Sequence, residues 1–133
     1  MRKLNSILLL ITLSLFLAQC SSRERALNRK LEEMASGLNE SAPVQLDRYT
    51  RFEEASVMPG NIFRYRYTVL NVSNPDSLVE SGLRSMKSNM GKAFSSNPDL
   101  RIFRENNVTV EYVYCNADGQ IIRSLQITPG DYR

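Results

Sequence analysis

The first twenty residues, MRKLNSILLLITLSLFLAQC, constrain this chain most, because they set how much of it is left to fold. Positive charge at Arg2 and Lys3 precedes an apolar stretch from Ile7 to Ala18. A basic end held at an anionic membrane face, with a short apolar segment behind it, is the pattern of an export leader. Twelve helical residues rise about 18 Å, too little to cross a hydrocarbon layer of about 30 Å. The segment therefore reads as a signal peptide, residues 1–19, and not as a membrane span. Residues 20–133 remain, enough for one small domain.

Losing the leader also changes the charge. The chain has 17 Lys and Arg against 14 Asp and Glu, and two of those basic residues, Arg2 and Lys3, leave with the leader. What remains is nearly neutral and has no basic run longer than Arg29-Lys30, so no nucleic-acid partner is expected. The chain contains no His. That removes the imidazole general base, Ser-His-Asp and Cys-His arrangements, and His-containing metal sites, so no enzyme, cofactor or metal is expected.

At Leu17-Ala18-Gln19-Cys20 the leader resembles the lipobox of bacterial lipoproteins. The resemblance implies that the Cys20 thiol receives a diacylglycerol, that the chain is cut before it, and that the new amino terminus is acylated, with chains such as palmitate. A thiol is required because it is the nucleophile that can be alkylated there. Several acyl chains on one residue give stable anchoring where a single chain is marginal. Ser21, in place of the Asp that favours inner-membrane retention in this family, implies release to the cell outer membrane. The expected product is a lipid-anchored domain, residues 20–133, facing the periplasm.

Within that domain, Leu27, Leu31, Met34 and Leu38 recur at helical spacing and predict an amphipathic helix over about residues 23–38. The segment PVQLDRYTRFEE reads as one irregular strand. A loop at Val57-Met58-Pro59-Gly60-Asn61 turns the chain. Residues 62–70 alternate strictly, with Phe63, Tyr65, Tyr67 and Val69 on one face and Arg64, Arg66 and Thr68 on the other. Asn74-Pro75-Asp76 is a helix start, followed by the stripe Val79, Leu83, Met86, Met90 and Phe94. Gly82 is the expected point of close approach to the sheet. Asn97-Pro98 starts a short helix to Arg104. Two strands follow, one carrying Val108, Val110, Tyr112 and Tyr114 and one carrying Ile121, Leu125 and Ile127, joined by an Asn116–Gly119 hairpin. The expected fold is α+β: a small four-stranded antiparallel sheet with helices packed on one face, in the order α-β-β-α-(short α)-β-β. Such an architecture resembles cystatin-like and small secretion-accessory folds.

Candidate functional residues are few. With Cys20 lipidated, Cys115 has no partner in the chain and is expected to be a half-buried passive thiol, with an intermolecular disulfide as the alternative. Asn116, Asp118 and Gly119 fit a turn better than a calcium loop, which needs a terminal acid. Tyr65, Tyr67, Tyr112 and Tyr114 occupy i,i+2 positions on two strands. They form either an aromatic core or, with Met86 and Met90 on the adjacent helix, a protein-binding groove.

From Pro98 to Asp131 the order short helix, turn, strand, turn, strand resembles the C-terminal half of the pilotin lipoproteins of type II secretion. The matching residues are Asn97-Pro98-Asp99, Leu100, Asn107, Val108 and the strand Val110 to Tyr114. The resemblance implies an outer-membrane lipoprotein that binds a segment of a secretin. A Cys pair of that family is missing, since Phe94 and Asp131 are not Cys and Cys115 stands alone. The sequence thus points to a non-catalytic outer-membrane lipoprotein that binds another envelope protein. The alternative is a periplasmic inhibitor or immunity-type lipoprotein that inserts a loop, Val57 to Asn61 or Asn116 to Gly119, into an enzyme or toxin.

Overall fold

The computed structural model describes residues 2–132, with side chains from Ser21 onward. Two compact units are present, residues 1–30 and 31–133. Helix α1 is assigned as Arg2–Asn39 and forms the described part of the first unit. The expected lipid-bearing side chain of Cys20 lies outside the described residues.

The second unit contains the last turns of α1 and a five-stranded sheet in the order β1-β2-β3-β4-β5. The strands are β1 (Val44–Gln45), β2 (Thr50–Met58), β3 (Ile62–Val69), β4 (Thr109–Cys115) and β5 (Ile121–Ile127). Between β3 and β4 lie α2 (Pro75–Ser96), a 3-10 turn (Pro98–Leu100) and α3 (Arg101–Glu105), and α4 (Pro129–Tyr132) closes the chain.

This architecture corrects the expected four-stranded antiparallel sheet and its element order in two ways. First, β3 and β4 run parallel, with Phe63 opposite Val110, Tyr65 opposite Tyr112 and Tyr67 opposite Tyr114. The helical segment between them carries the chain back to the end where β3 began, and a crossover of this kind returns a strand in the same direction. The sheet is therefore mixed. Second, the segment read as one irregular strand is two strands. The Asp47 carboxylate accepts the Tyr49 and Thr50 amides at 2.7 and 2.9 Å, and the Leu46 amide donates to the Thr50 carbonyl at 2.9 Å. This side-chain turn folds Val44–Gln45 back onto Phe52 and Arg51.

The capping residues of α2 behave as their types require. The Asn74 side chain accepts the Ser77 amide at 3.1 Å, with Pro75 and Asp76 in the first turn. Asn97 serves two elements, its amide donating to the Ala93 carbonyl at the end of α2 and its side chain accepting the Asp99 amide. The β2–β3 turn places Gly60 and Asn61 at φ of 87° and 62°, the left-handed region that Gly and Asn tolerate best.

One sheet face and the helices enclose the core. Phe63 meets Phe103 of α3 at 5.2 Å between ring centroids, Phe103 stacks on Phe94 of α2, and Phe94 stacks on Tyr132 of α4 at 5.4 Å. Tyr132, 2% exposed, donates its hydroxyl to the carbonyls of Phe103 and Val108 at 3.2 and 2.7 Å. Leu31 and Ala35 of α1 are buried, four residues apart. One turn later the Asn39 amide group accepts from the Ala55 amide and donates to the Ala55 carbonyl. These two bonds take the place of a strand neighbour along β2, beyond the reach of the two-residue β1.

The opposite sheet face carries charge pairs: Arg64 with Glu111 at 2.6 Å, Arg66 with Glu54 at 3.1 Å and Arg51 with Glu53 at 2.7 Å. Burial pushes the Glu53 carboxyl up, but hydrogen bonds from Thr68 and Arg51 and the charges of Arg51 and Arg66 outweigh it and leave it below the usual carboxylate range. Two residue-level expectations change. Cys115 is fully buried, at 1% exposure. Ile121 leaves the core because a register shift between Tyr114 and Cys115 sets Arg123 opposite Tyr114 and Ile121 opposite Cys115.

Candidate functional site

A groove of about 390 Å³ opens between the first half of α2 and the β1–β2 turn. Leu78, Val79, Gly82, Leu83 and Met86 of α2 form one wall. Residues 78 to 86 cover two helical turns, about 12 Å. Asp47, Arg48, Tyr49 and Thr50 form the other wall, with Val69 and Tyr114 between. Apolar side chains dominate the lining, as in ligand and peptide sites generally. Its rim is unusually exposed for apolar residues: Leu78 is 40% exposed, Tyr49 37%, and the neighbouring Leu46 57%.

The four expected tyrosines form a stacked row. Tyr65 lies on Tyr112 and Tyr67 on Tyr114, each with ring centroids 5.3 Å apart and planes within about 20°. Their parallel register puts like side chains side by side on adjacent strands. Tyr112 is buried, whereas Tyr65, Tyr67 and Tyr114 are half-buried. Tyr114 reaches the groove, where its hydroxyl donates to the Met86 sulfur at 3.4 Å. Thus Tyr114 and Met86 line the groove, while Tyr65, Tyr67, Tyr112 and Met90 do not. Burial raises the phenol pKa of Tyr65 to about 12 and also raises those of Tyr67, Tyr112 and Tyr114, with neighbouring tyrosines adding to the effect at Tyr67 and Tyr112. At neutral pH all four are neutral phenols, unsuited to act as nucleophiles or anionic metal ligands.

Among the described residues, no group of three or more His, Cys, Asp or Glu side chains is placed to hold a metal ion. The two loops considered for insertion into a target are tight turns. Asn61 donates to the carbonyls of Asn106 and Asn107, and the Asn116 side chain accepts the amides of Asp118 and Gln120.

Sequence reasoning did not expect Asp47, Arg48, Tyr49, Thr50, Val69, Leu78, Val79, Gly82 or Leu83 at a site, reading Val69, Val79 and Leu83 as packing residues and Gly82 as a helix–sheet contact. One signal was available: Leu78 lies outside the apolar stripe that starts at Val79, so it is an apolar residue on the wet side of an amphipathic helix. The turn that delivers Arg48 and Tyr49 depends on the Asp47 carboxylate, and no periodicity reveals it.

Comparison with known proteins gives likeness of fold. A crystal structure of a Pseudomonas aeruginosa protein predicted to be secreted superimposes with a TM-score of 0.68 and 18% identity, over 81% of this chain and 94% of that one. The type II secretion pilotin of Vibrio vulnificus matches with a TM-score of 0.59 and 14% identity, over 85% of this chain and 97% of the pilotin. That of Vibrio cholerae matches with a TM-score of 0.57 and 16% identity, over 84% and 97%. No curated protein matches the sequence. A family model matches residues 25–122, and the chain accordingly belongs to the family described as Domain of unknown function (DUF8479).

Proposed function

We propose that this chain is a non-catalytic lipoprotein of the outer membrane, anchored through Cys20 and facing the periplasm, whose domain docks a segment of another envelope protein. A pilotin-like role, in which the partner is a secretion-system component, is the specific form of this reading. The observation that carries it is the groove between α2 and the β1–β2 turn, lined by the exposed apolar side chains of Leu78 and Tyr49. Water-exposed apolar side chains grouped around a concavity are the ordinary mark of a protein-docking surface. The similarity of fold to two pilotins supports the same reading. The leader and the Leu17–Cys20 motif support the anchor.

Affinity capture from detergent-solubilised outer membranes tests the docking. The parent chain is expected to retain one partner that Leu78→Lys and Gly82→Leu both release while their melting curves stay close to the parent's. Equal retention by both variants contradicts the placement at the groove. Mass measurement tests the anchor: the mature chain should lack residues 1–19 and carry added acyl mass, and Cys20→Ser should leave the membrane fraction. An unacylated mature chain contradicts the anchor.

A further inference from the structure

We infer that the stretch of α1 that follows the anchor, residues 21–30, seats on anionic phospholipid headgroups of the leaflet that holds the Cys20 acyl chains; this rests on the anchor proposed above. Charge, exposure and the arrangement of bases round the helix lead to it.

Charge is unevenly placed along the chain beyond the leader. Arg23, Arg25, Arg29 and Lys30 stand against the single acid Glu24 within residues 21–30, whereas residues 31–40 hold Glu32, Glu33 and Glu40 and no base. Residues 41–133 are nearly balanced, with 11 bases and 10 acids. The one marked positive excess therefore lies directly after Cys20. Along a helix that rises about 1.5 Å per residue, Arg23 to Lys30 lie about 5 to 15 Å from Cys20. An acylated Cys20 sits at the bilayer surface, so these bases fall within about two Debye lengths of it at physiological salt.

All four bases are exposed, and none forms an ion pair among the described residues. Glu33 follows Arg29 by four residues, but base before acid is the weaker order for a helical pair. Arg48, Arg84 and Lys92 also lack an acid partner, yet they stand singly in the sequence and form no run.

The partner follows from the arrangement. At about 100° per residue, Arg23 and Lys30 project from one side of the helix and Arg25 and Arg29 from the other. A protein surface meets one side of a helix, whereas a headgroup layer that a helix enters surrounds it with phosphates. Leu27 is the single large apolar residue of the segment, so the segment lacks the apolar face with which an amphipathic helix buries itself in the interface. Attraction is then electrostatic, each base near an anionic surface being worth about a fivefold change in occupancy. The acids that follow are repelled by the same surface, which confines contact to the first segment.

The test uses the mature acylated chain in vesicles of phosphatidylcholine, alone or mixed with phosphatidylglycerol, carrying a nitroxide at Ala26→Cys or, for comparison, at Ser36→Cys. Cys115 is 1% exposed and does not compete for the label. Electron paramagnetic resonance reads how readily a water-soluble nickel relaxant reaches each label. At position 26, accessibility should fall by about twofold or more when phosphatidylglycerol is added, and it should recover in about 0.5 M salt. Arg23→Gln, Arg25→Gln, Arg29→Gln and Lys30→Gln together should abolish the fall, and Gln keeps helix propensity close to that of Arg and Lys. Lys at the three Arg positions should preserve the fall, because charge and not guanidinium shape is read. Position 36 should not respond. A label at position 26 indifferent to phosphatidylglycerol, a Gln variant that responds like the parent, or an equal response at position 36 overturns this inference and leaves the anchor standing. A mature chain without acyl mass overturns both.

Discussion

Gly82 and Gly91 lie on the same helix and behave oppositely. A Cβ at Gly82 enters open space, whereas one at Gly91 comes within 2.9 Å of the Asp131 backbone carbonyl oxygen. Close helix contact is thus made at Gly91, against α4, and not at Gly82 as the sequence suggested. Gly82→Ala should raise stability by up to about 1 kcal/mol through helix propensity. Gly91→Ala should lower it by about 1–3 kcal/mol because backbone has to move. Urea denaturation of both variants measures the contrast. Tyr132→Phe removes the donor to two carbonyls and should cost about 1–3 kcal/mol in the same assay. Asp131 gives a pH prediction. Its carboxylate accepts the Thr128 amide and hydroxyl, which, with the nearby charge of Lys87, hold its pKa below the ordinary 3.8. A carboxylate that is more acidic folded than unfolded adds stability above the unfolded value and loses it as pH falls through the depressed one. Asp131→Asn should therefore lower the melting temperature at neutral pH, and its difference from the parent should shrink below about pH 3.8.

At the scale of elements, periodicity and caps are local and were legible. Phe63 to Val69 announced β3 by alternation, and Asn74-Pro75-Asp76 announced α2 by capping chemistry. Which way neighbouring strands run is a non-local property. The alternation of Val110, Tyr112 and Tyr114 is the same in either direction, and only the intervening helix implies the parallel crossover. The short β1 was hidden for another reason: two residues are too few to show a period, and the turn before β2 rests on a single Asp47 side chain. That turn also delivers Arg48 and Tyr49, so missing it concealed one wall of the groove. Tyr114 and Met86 were accessible because they belong to long periodic elements. Replacing Asp47 with Ala should loosen the β1–β2 turn, seen as faster amide exchange at Tyr49 and Thr50, with little change at β4.

For the whole molecule, the account joins the proposed anchor at Cys20 to a domain with an apolar groove between α2 and the β1–β2 turn. Its central claim is that this groove is where the protein meets its partner in the envelope. The most direct measurement compares photo-crosslinking in intact cells from position 78, at the groove rim, with position 121. Ile121 is more exposed, at 69% against 40% for Leu78, but does not line the groove. Exposure alone therefore favours position 121. Docking in the groove predicts a discrete protein crosslink from position 78, weakened by Gly82→Leu, and none from position 121. A discrete crosslink from position 121 with none from position 78 contradicts the account.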